Sequence, residues 1–183
     1  MAKKVTLKKD LGLTHVYTGE GKGKTTASLG LTLRALGHDY KVLVIQFMKG
    51  RKDTGEYKIQ TKIPNLEVMQ FAEEGMVNLE EPSASDIYLA NQALDYARKR
   101  GTDKLDRPDI MVLDEVNVAV RYGLVSKEEV LDFMDNKPAN LELILTGRYA
   151  HPSILERADL ITEMKEVRHY FKKGVKARKG IEM

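Results

Sequence analysis

Thr18-Gly19-Glu20-Gly21-Lys22-Gly23-Lys24-Thr25-Thr26 decides the fold, because it lies between a short apolar run and a segment of helical pattern. Such a loop must curve so that consecutive backbone N–H groups converge on an anion, and glycine permits that curvature at little steric cost. Lys24 offers a point charge to phosphate oxygens, the Thr25 hydroxyl can ligate magnesium, and the helix starting there aims its positive end at the anion. Counted back from Gly23-Lys24-Thr25, the first position of the G-x-x-x-x-G-K-[ST] pattern is Thr18 rather than glycine. The strand before, the helix after and the second lysine, Lys22, outweigh that departure. The stretch reads as a P-loop for the triphosphate of ATP with a divalent metal.

Outward from the loop, short apolar runs alternate with helical patterns. Strands are expected at 15–18, 41–47, 66–71, 110–113 and 141–146, with a late alternating strand at 160–167. Helices are expected at 25–36, stopped by Gly37, and from Ser83 to Gly101, where Ser83 and Asp86 have capping-box spacing. Ser126 and Glu129 repeat that spacing for a helix to about Met134, and a short helix follows at 152–158. Residues 48–61 are polar and dotted with glycine, and 72–82 read as a loop. The pattern predicts an α/β, P-loop NTPase-like (RecA-like) fold, a mainly parallel sheet with helices on both faces.

The chain of 183 residues, 42% apolar, suits one full-sized core, so a single domain over 1–183 is expected. A net charge of +3 is mild and disfavours nucleic acid as the main partner. The dense basic cluster is the tail Lys165, Arg168, Lys172, Lys173, Lys176, Arg178 and Lys179, readable as a solvated end or as a group near phosphate. With no cysteine, disulfides, Cys-based zinc sites and thiol catalysis are excluded. The apolar runs are too short to cross a bilayer and the N-terminus lacks a signal-peptide core, so a cytoplasmic location without membrane contact is expected.

A P-loop needs a carboxylate at the end of a neighbouring strand to hold the metal, and Asp114-Glu115 after the run 110–113 suits that role. In a hydrolase the second carboxylate orients water; in a group-transfer enzyme it can simply hold metal. A RecA-like P-loop ATPase, a motor or switch acting on nucleic acid through the basic tail, is therefore an alternative reading.

TGEGKGKTTASLGLTLRALGH, VLVIQFMKG, PDIMVLDEVN and LILTGRYAHPSILERADLITEM together resemble the ATP:corrinoid adenosyltransferase family, and VRHYFKKGVKARKGIEM resembles that family's ending. The resemblance implies transfer of the 5'-deoxyadenosyl group of ATP to the Co(I) centre of a reduced corrinoid, with a Co–C bond formed and triphosphate released. It implies triphosphate contacts from Gly19, Glu20, Gly21, Lys22, Gly23, Lys24, Thr25 and Thr26, joined by Arg34, Lys49 and Arg148. Lys24, Thr25 and Glu115 become the catalytic group, and Thr25, Glu115 and Asp114 the holders of Mg2+ or Mn2+. It also implies a nucleotide laid along the loop in reverse of the usual NTPase sense. Cob(I)alamin or cobyrinic acid a,c-diamide is the implied corrinoid, with a separate reductase for the cobalt and a homodimeric enzyme. This chain departs from the family pattern in having no tryptophan to press on the corrinoid, which leaves Phe71, Met76, Val77 and Leu79 as apolar candidates. It also has only about a dozen residues before the first strand, where some relatives carry a longer helical arm.

Overall fold

Three strands are buried along their whole length, β2 (Val42–Phe47), β4 (Ile110–Asp114) and β5 (Glu142–Thr146), as near-continuous apolar runs demand when both faces of a sheet are covered. The computed structural model describes residues 10–73, 75 and 77–182. Its sheet has six strands in the order β3-β2-β4-β5-β1-β6, with β1 at Thr14–Thr18, β3 at Leu66–Phe71 and β6 at Leu160–Glu163. Every pairing is parallel. β6, fully exposed, forms one edge.

Alternation along the strands sends side chains to opposite faces. Leu43, Ile45, Phe47, Met111 and Leu113 pack on one face against α3 (Ala84–Thr102), α4 (Val116–Arg121), α5 (Lys127–Asn136) and α6 (Pro152–Arg157). Val42, Val44, Ile110 and Val112 pack on the other face with Ala35 of α1 (Lys24–Leu36) and Tyr57 of α2 (Gly55–Ile59). Helices therefore cover both faces. Ser83 caps α3 through a capping box with Asp86, as their spacing predicts.

The structure adds α2 within the stretch read as irregular, and α4 directly after Glu115. It also ends β6 at Glu163, short of the 160–167 expected, because Met164 turns onto the phosphate loop, where its carbonyl accepts a 2.6 Å hydrogen bond from the Gly21 N–H.

The chain leaving β1 crosses β5 and β4 to reach β2, and ligands in open parallel sheets bind beyond the carboxyl ends of the strands. Register levels those ends: Gln46 pairs with Asp114, and Tyr17 with Thr146. The loop after β1, Lys49 after β2, Asp114-Glu115 at the end of β4 and Arg148 after β5 thus share one rim.

Candidate active site

β1 empties into the glycine loop, whose end at Gly23 is the N-cap of α1. Gly19 has φ +94°, and a Cβ there would lie 2.5 Å from the Met164 carbonyl oxygen; at Gly21 the same atom would be 2.7 Å away. The end of β6 therefore packs on the loop so closely that no side chain fits at either position. Lys24 is buried and donates to the carbonyls of Gly19 (2.7 Å) and Gly21 (2.8 Å). Burial, reinforced by Arg148, lowers the pKa of its ammonium below the usual lysine range against the pull of Glu115.

Asp114 is the buried hub. Its Oδ1 accepts from the hydroxyls of Thr25 (2.8 Å) and Thr146 (2.7 Å). Its Oδ2 accepts from Lys49 Nζ (2.6 Å) and Gln46 Nε2 (3.1 Å). Burial alone would raise this carboxyl's pKa, but the Lys49 charge and hydrogen bonds from Lys49, Thr146 and Thr25 hold it below the usual carboxylate range. Glu115 behaves oppositely: burial first, then the Asp114 charge, pushes its carboxyl up. Its backbone N–H donates to Thr146 Oγ1 at 3.0 Å, with Glu115 itself in the left-handed region at φ +67°. Met48 (φ +57°) and Tyr149 (φ +61°), just past β2 and β5, share that conformation. Non-glycine residues held there cost on the order of 1–3 kcal/mol each, a strain that concentrates at functional sites.

Two contiguous clefts open along the rim. One, of about 650 Å³, is lined by the loop from Glu20 to Thr26 and by tail residues that include His169, Phe171 and Ile181. The other, of about 590 Å³, has apolar walls from Phe47, Met48, Val77, Leu79, Tyr122 and Tyr149. Lys49, Glu56, Glu115, Arg148 and Glu182 line both and mark the boundary between them.

Of the residues expected at the site, Glu20, Gly21, Lys22, Gly23, Lys24, Thr25, Thr26, Lys49, Glu115 and Arg148 line the first cleft. Arg148 and Glu20 form an exposed ion pair at 3.6 Å. Gly19 and Asp114 lie just behind, bonded to Lys24 and Thr25 respectively. Arg34 is the exception, lining neither cleft. It stands exposed in the last turn of α1, about 15 Å along the helix from Lys24 by helical rise, where a cation suits the negative helix end. Val77 and Leu79 line the second cleft, whereas Phe71 packs against Tyr96 at 5.7 Å between ring centroids, and Met76 lies outside the described residues.

Sequence reasoning missed Gln46, Thr146 and Asn117. A glutamine inside the run VLVIQF is a signal, since a fully buried amide must be matched, here by Asp114, Glu56 and Gln70. Asn117, fully buried on α4, has neither side-chain polar atom partnered among the described residues. Such an amide calls for water or ligand.

The family model for the ATP:corrinoid adenosyltransferases BtuR/CobO/CobP matches residues 10–183. The chain belongs to that family. A corrinoid adenosyltransferase of Pseudomonas aeruginosa is 38% identical over 173 residues, covering 93% of this chain and 83% of its own length. One from Escherichia coli K12 is 36% identical over 171 residues, covering 93% and 85%, and the corrinoid adenosyltransferase CobA of Salmonella typhimurium is 35% identical over 171 residues. The fold of this adenosyltransferase family member also resembles the flagellar accessory protein FlaH of Methanocaldococcus jannaschii. That likeness has a TM-score of 0.52 at 14% identity and covers 83% of this chain and 70% of the other. The relatives bear out the family resemblance, and the solved structure agrees with the α/β P-loop architecture expected from the loop and the strand pattern.

Proposed function

We propose that this chain transfers the 5'-deoxyadenosyl group of ATP to the cobalt of a reduced corrinoid, with ATP in the first cleft and the corrinoid against the second. The observation that carries this reading is the shared boundary between a phosphate-binding cleft and an apolar one, in a chain of this family. The cobalt(I) electron pair attacks the 5' carbon, the C5'–O bond breaks, and triphosphate leaves with that bond's electrons. Cobalt(I) carries no proton to remove, so the site needs positioning and stabilisation of the leaving group rather than a general base.

Lys24 and the N–H groups of the loop would hold the charge that grows on the triphosphate. Thr25 would take part through its hydroxyl, with Asp114 behind it accepting the hydroxyl proton's hydrogen bond at 2.8 Å. Lys49, half-buried and paired with Asp114, and Arg148 at the boundary add positive charge where the phosphates would lie. Thr25 and Glu115 would offer hard oxygen donors, with Asp114 held behind Thr25 by its hydrogen bonds to Thr25, Thr146, Lys49 and Gln46; two such donors are too few for an all-protein cage and suit magnesium bound largely through phosphate and water. When bound, the metal supplies further neutralisation of the leaving triphosphate. From family membership we also infer a homodimer located in the cytoplasm and a separate reductase for the cobalt. No helix among the described residues is long and apolar enough to cross a membrane.

Val77 and Leu79 take over as apolar contacts in a chain without tryptophan. Leu79→Asp is expected to weaken binding of cob(I)alamin about tenfold, the scale of one lost apolar side-chain contact, while leaving Mg-ATP affinity unchanged. Isothermal titration with each ligand checks this. Equal loss for both ligands contradicts the division into two clefts.

A further inference from the structure

Parallel register sets Gln70 of β3, Gln46 of β2 and Asp114 of β4 side by side near the carboxyl ends of the strands, in one row across the sheet. The row is hydrogen-bonded throughout. Gln46 Nε2 donates to Asp114 Oδ2 at 3.1 Å and to Glu56 Oε1 of α2 at 3.2 Å. Two carboxylates call for the donor end of the Gln46 amide, so its carbonyl faces the other way, where it accepts from Gln70 Nε2 at 2.9 Å. The same Gln70 nitrogen donates to the Arg51 backbone carbonyl at 3.1 Å.

Arg51 closes the turn after β2 that carries Lys49. The chain leaving β3 also presses on that turn: a Cβ at Gly50 would lie 2.4 Å from the Glu73 carbonyl oxygen and 2.5 Å from that of Ala72. Toward β4, Lys49 Nζ reaches Asp114 Oδ2 at 2.6 Å. Met48 opens the turn in the left-handed region, a conformation that persists only where the surroundings hold it. Gln70 lines neither cleft, yet its amide ties this turn to the edge strand and to the buried hub at once. An amide suits that place, because it fixes geometry without adding a charge beside Asp114.

We propose that Gln70 is a positioning residue: through the Arg51 carbonyl and the Gln46 amide it fixes the turn that carries Lys49, and so holds the Lys49 ammonium at the boundary of the two clefts before a ligand arrives. This rests on the function proposed above, in which Lys49 lies where the phosphates would settle.

The test is a double-mutant cycle read by calorimetric binding of inorganic triphosphate with magnesium. Gln70→Met keeps the length of the side chain and removes both hydrogen bonds. By the scale of two neutral hydrogen bonds, it is expected to weaken triphosphate binding about tenfold in the unaltered chain, and by less than about twofold in a Lys49→Ala background. Equal losses in the two backgrounds overturn the proposal, because a residue that merely supports the fold acts whether or not Lys49 is present. An unchanged affinity in Gln70→Met overturns it as well. A second readout needs no ligand: acetylation by acetic anhydride, followed by mass spectrometry, is expected to reach Lys49 severalfold faster in Gln70→Met than in the unaltered chain. Lys41, just before the opposite end of β2, is the reference. An unchanged ratio of Lys49 to Lys41 labelling overturns the proposal even where Lys49→Ala fails to fold. If the unaltered chain binds no triphosphate, the nucleotide reading fails, whereas the labelling ratio still decides whether Gln70 holds the turn.

Discussion

Lys24→Ala is expected to lower the rate of adenosyl transfer about 10²- to 10³-fold, the loss typical of removing one preorganised charge from a developing anion. The lysine is buried and bonded to the loop's own Gly19 and Gly21 carbonyls, so it is already held where the triphosphate would settle. Because those partners are loop carbonyls rather than core atoms, the variant should fold, and its thermal unfolding should stay close to that of the unaltered chain. Transfer kinetics at saturating corrinoid separate the two effects. A variant that keeps its rate would remove the loop from the leaving-group role.

Asp114→Ala is expected to fail on both counts. Removing one partner of a buried ion pair costs on the order of 3–5 kcal/mol, here because Lys49, 2.6 Å away, loses its counter-charge. The hydroxyls of Thr25 and Thr146 lose their acceptor at the same moment. Asp114→Asn keeps the shape and an acceptor oxygen, so it should unfold less readily while still losing transfer by roughly 10²-fold. Acid provides a check on the sign. The Asp114 pKa is depressed on folding, so its contribution to stability is present above the unfolded value of about 3.9 and lost as pH falls through the lower folded value. The stability gap between Asp114→Asn and the unaltered chain should therefore narrow in that acid window, as urea unfolding across pH would measure. A constant gap would mean that the carboxylate's charge contributes nothing.

The parallel sheet was legible because three of its strands are unbroken apolar runs and because the loop 18–26 has its own spacing. Asp114-Glu115 was legible for the same reason: a carboxylate pair at the end of a buried strand is placed by the strand. Arg34 stands apart from the loop because sequence nearness says nothing of helical rise, which takes it to the far end of α1. α4 escaped because VNVAVR is rich in β-branched residues of modest helix propensity. Its helix rests on burying Val116 and Ala119 against the core. Gly19 and Gly21 were read as phosphate-cradle glycines, whereas the close approach of Met164 gives a second reason that only the fold reveals. The tail was legible as charge alone. In the structure Glu182 meets Arg178 and Tyr170, a pairing across a left-handed glycine that no periodic pattern announces.

The most direct measurement is an anaerobic incubation of the chain with Mg-ATP and chemically reduced cob(I)alamin, following the corrinoid spectrum while assaying phosphate products. Formation of adenosylcobalamin with one triphosphate released per corrinoid converted is the predicted result. An unchanged corrinoid spectrum with accumulating ADP and phosphate would contradict the account and return the loop to ordinary ATP hydrolysis.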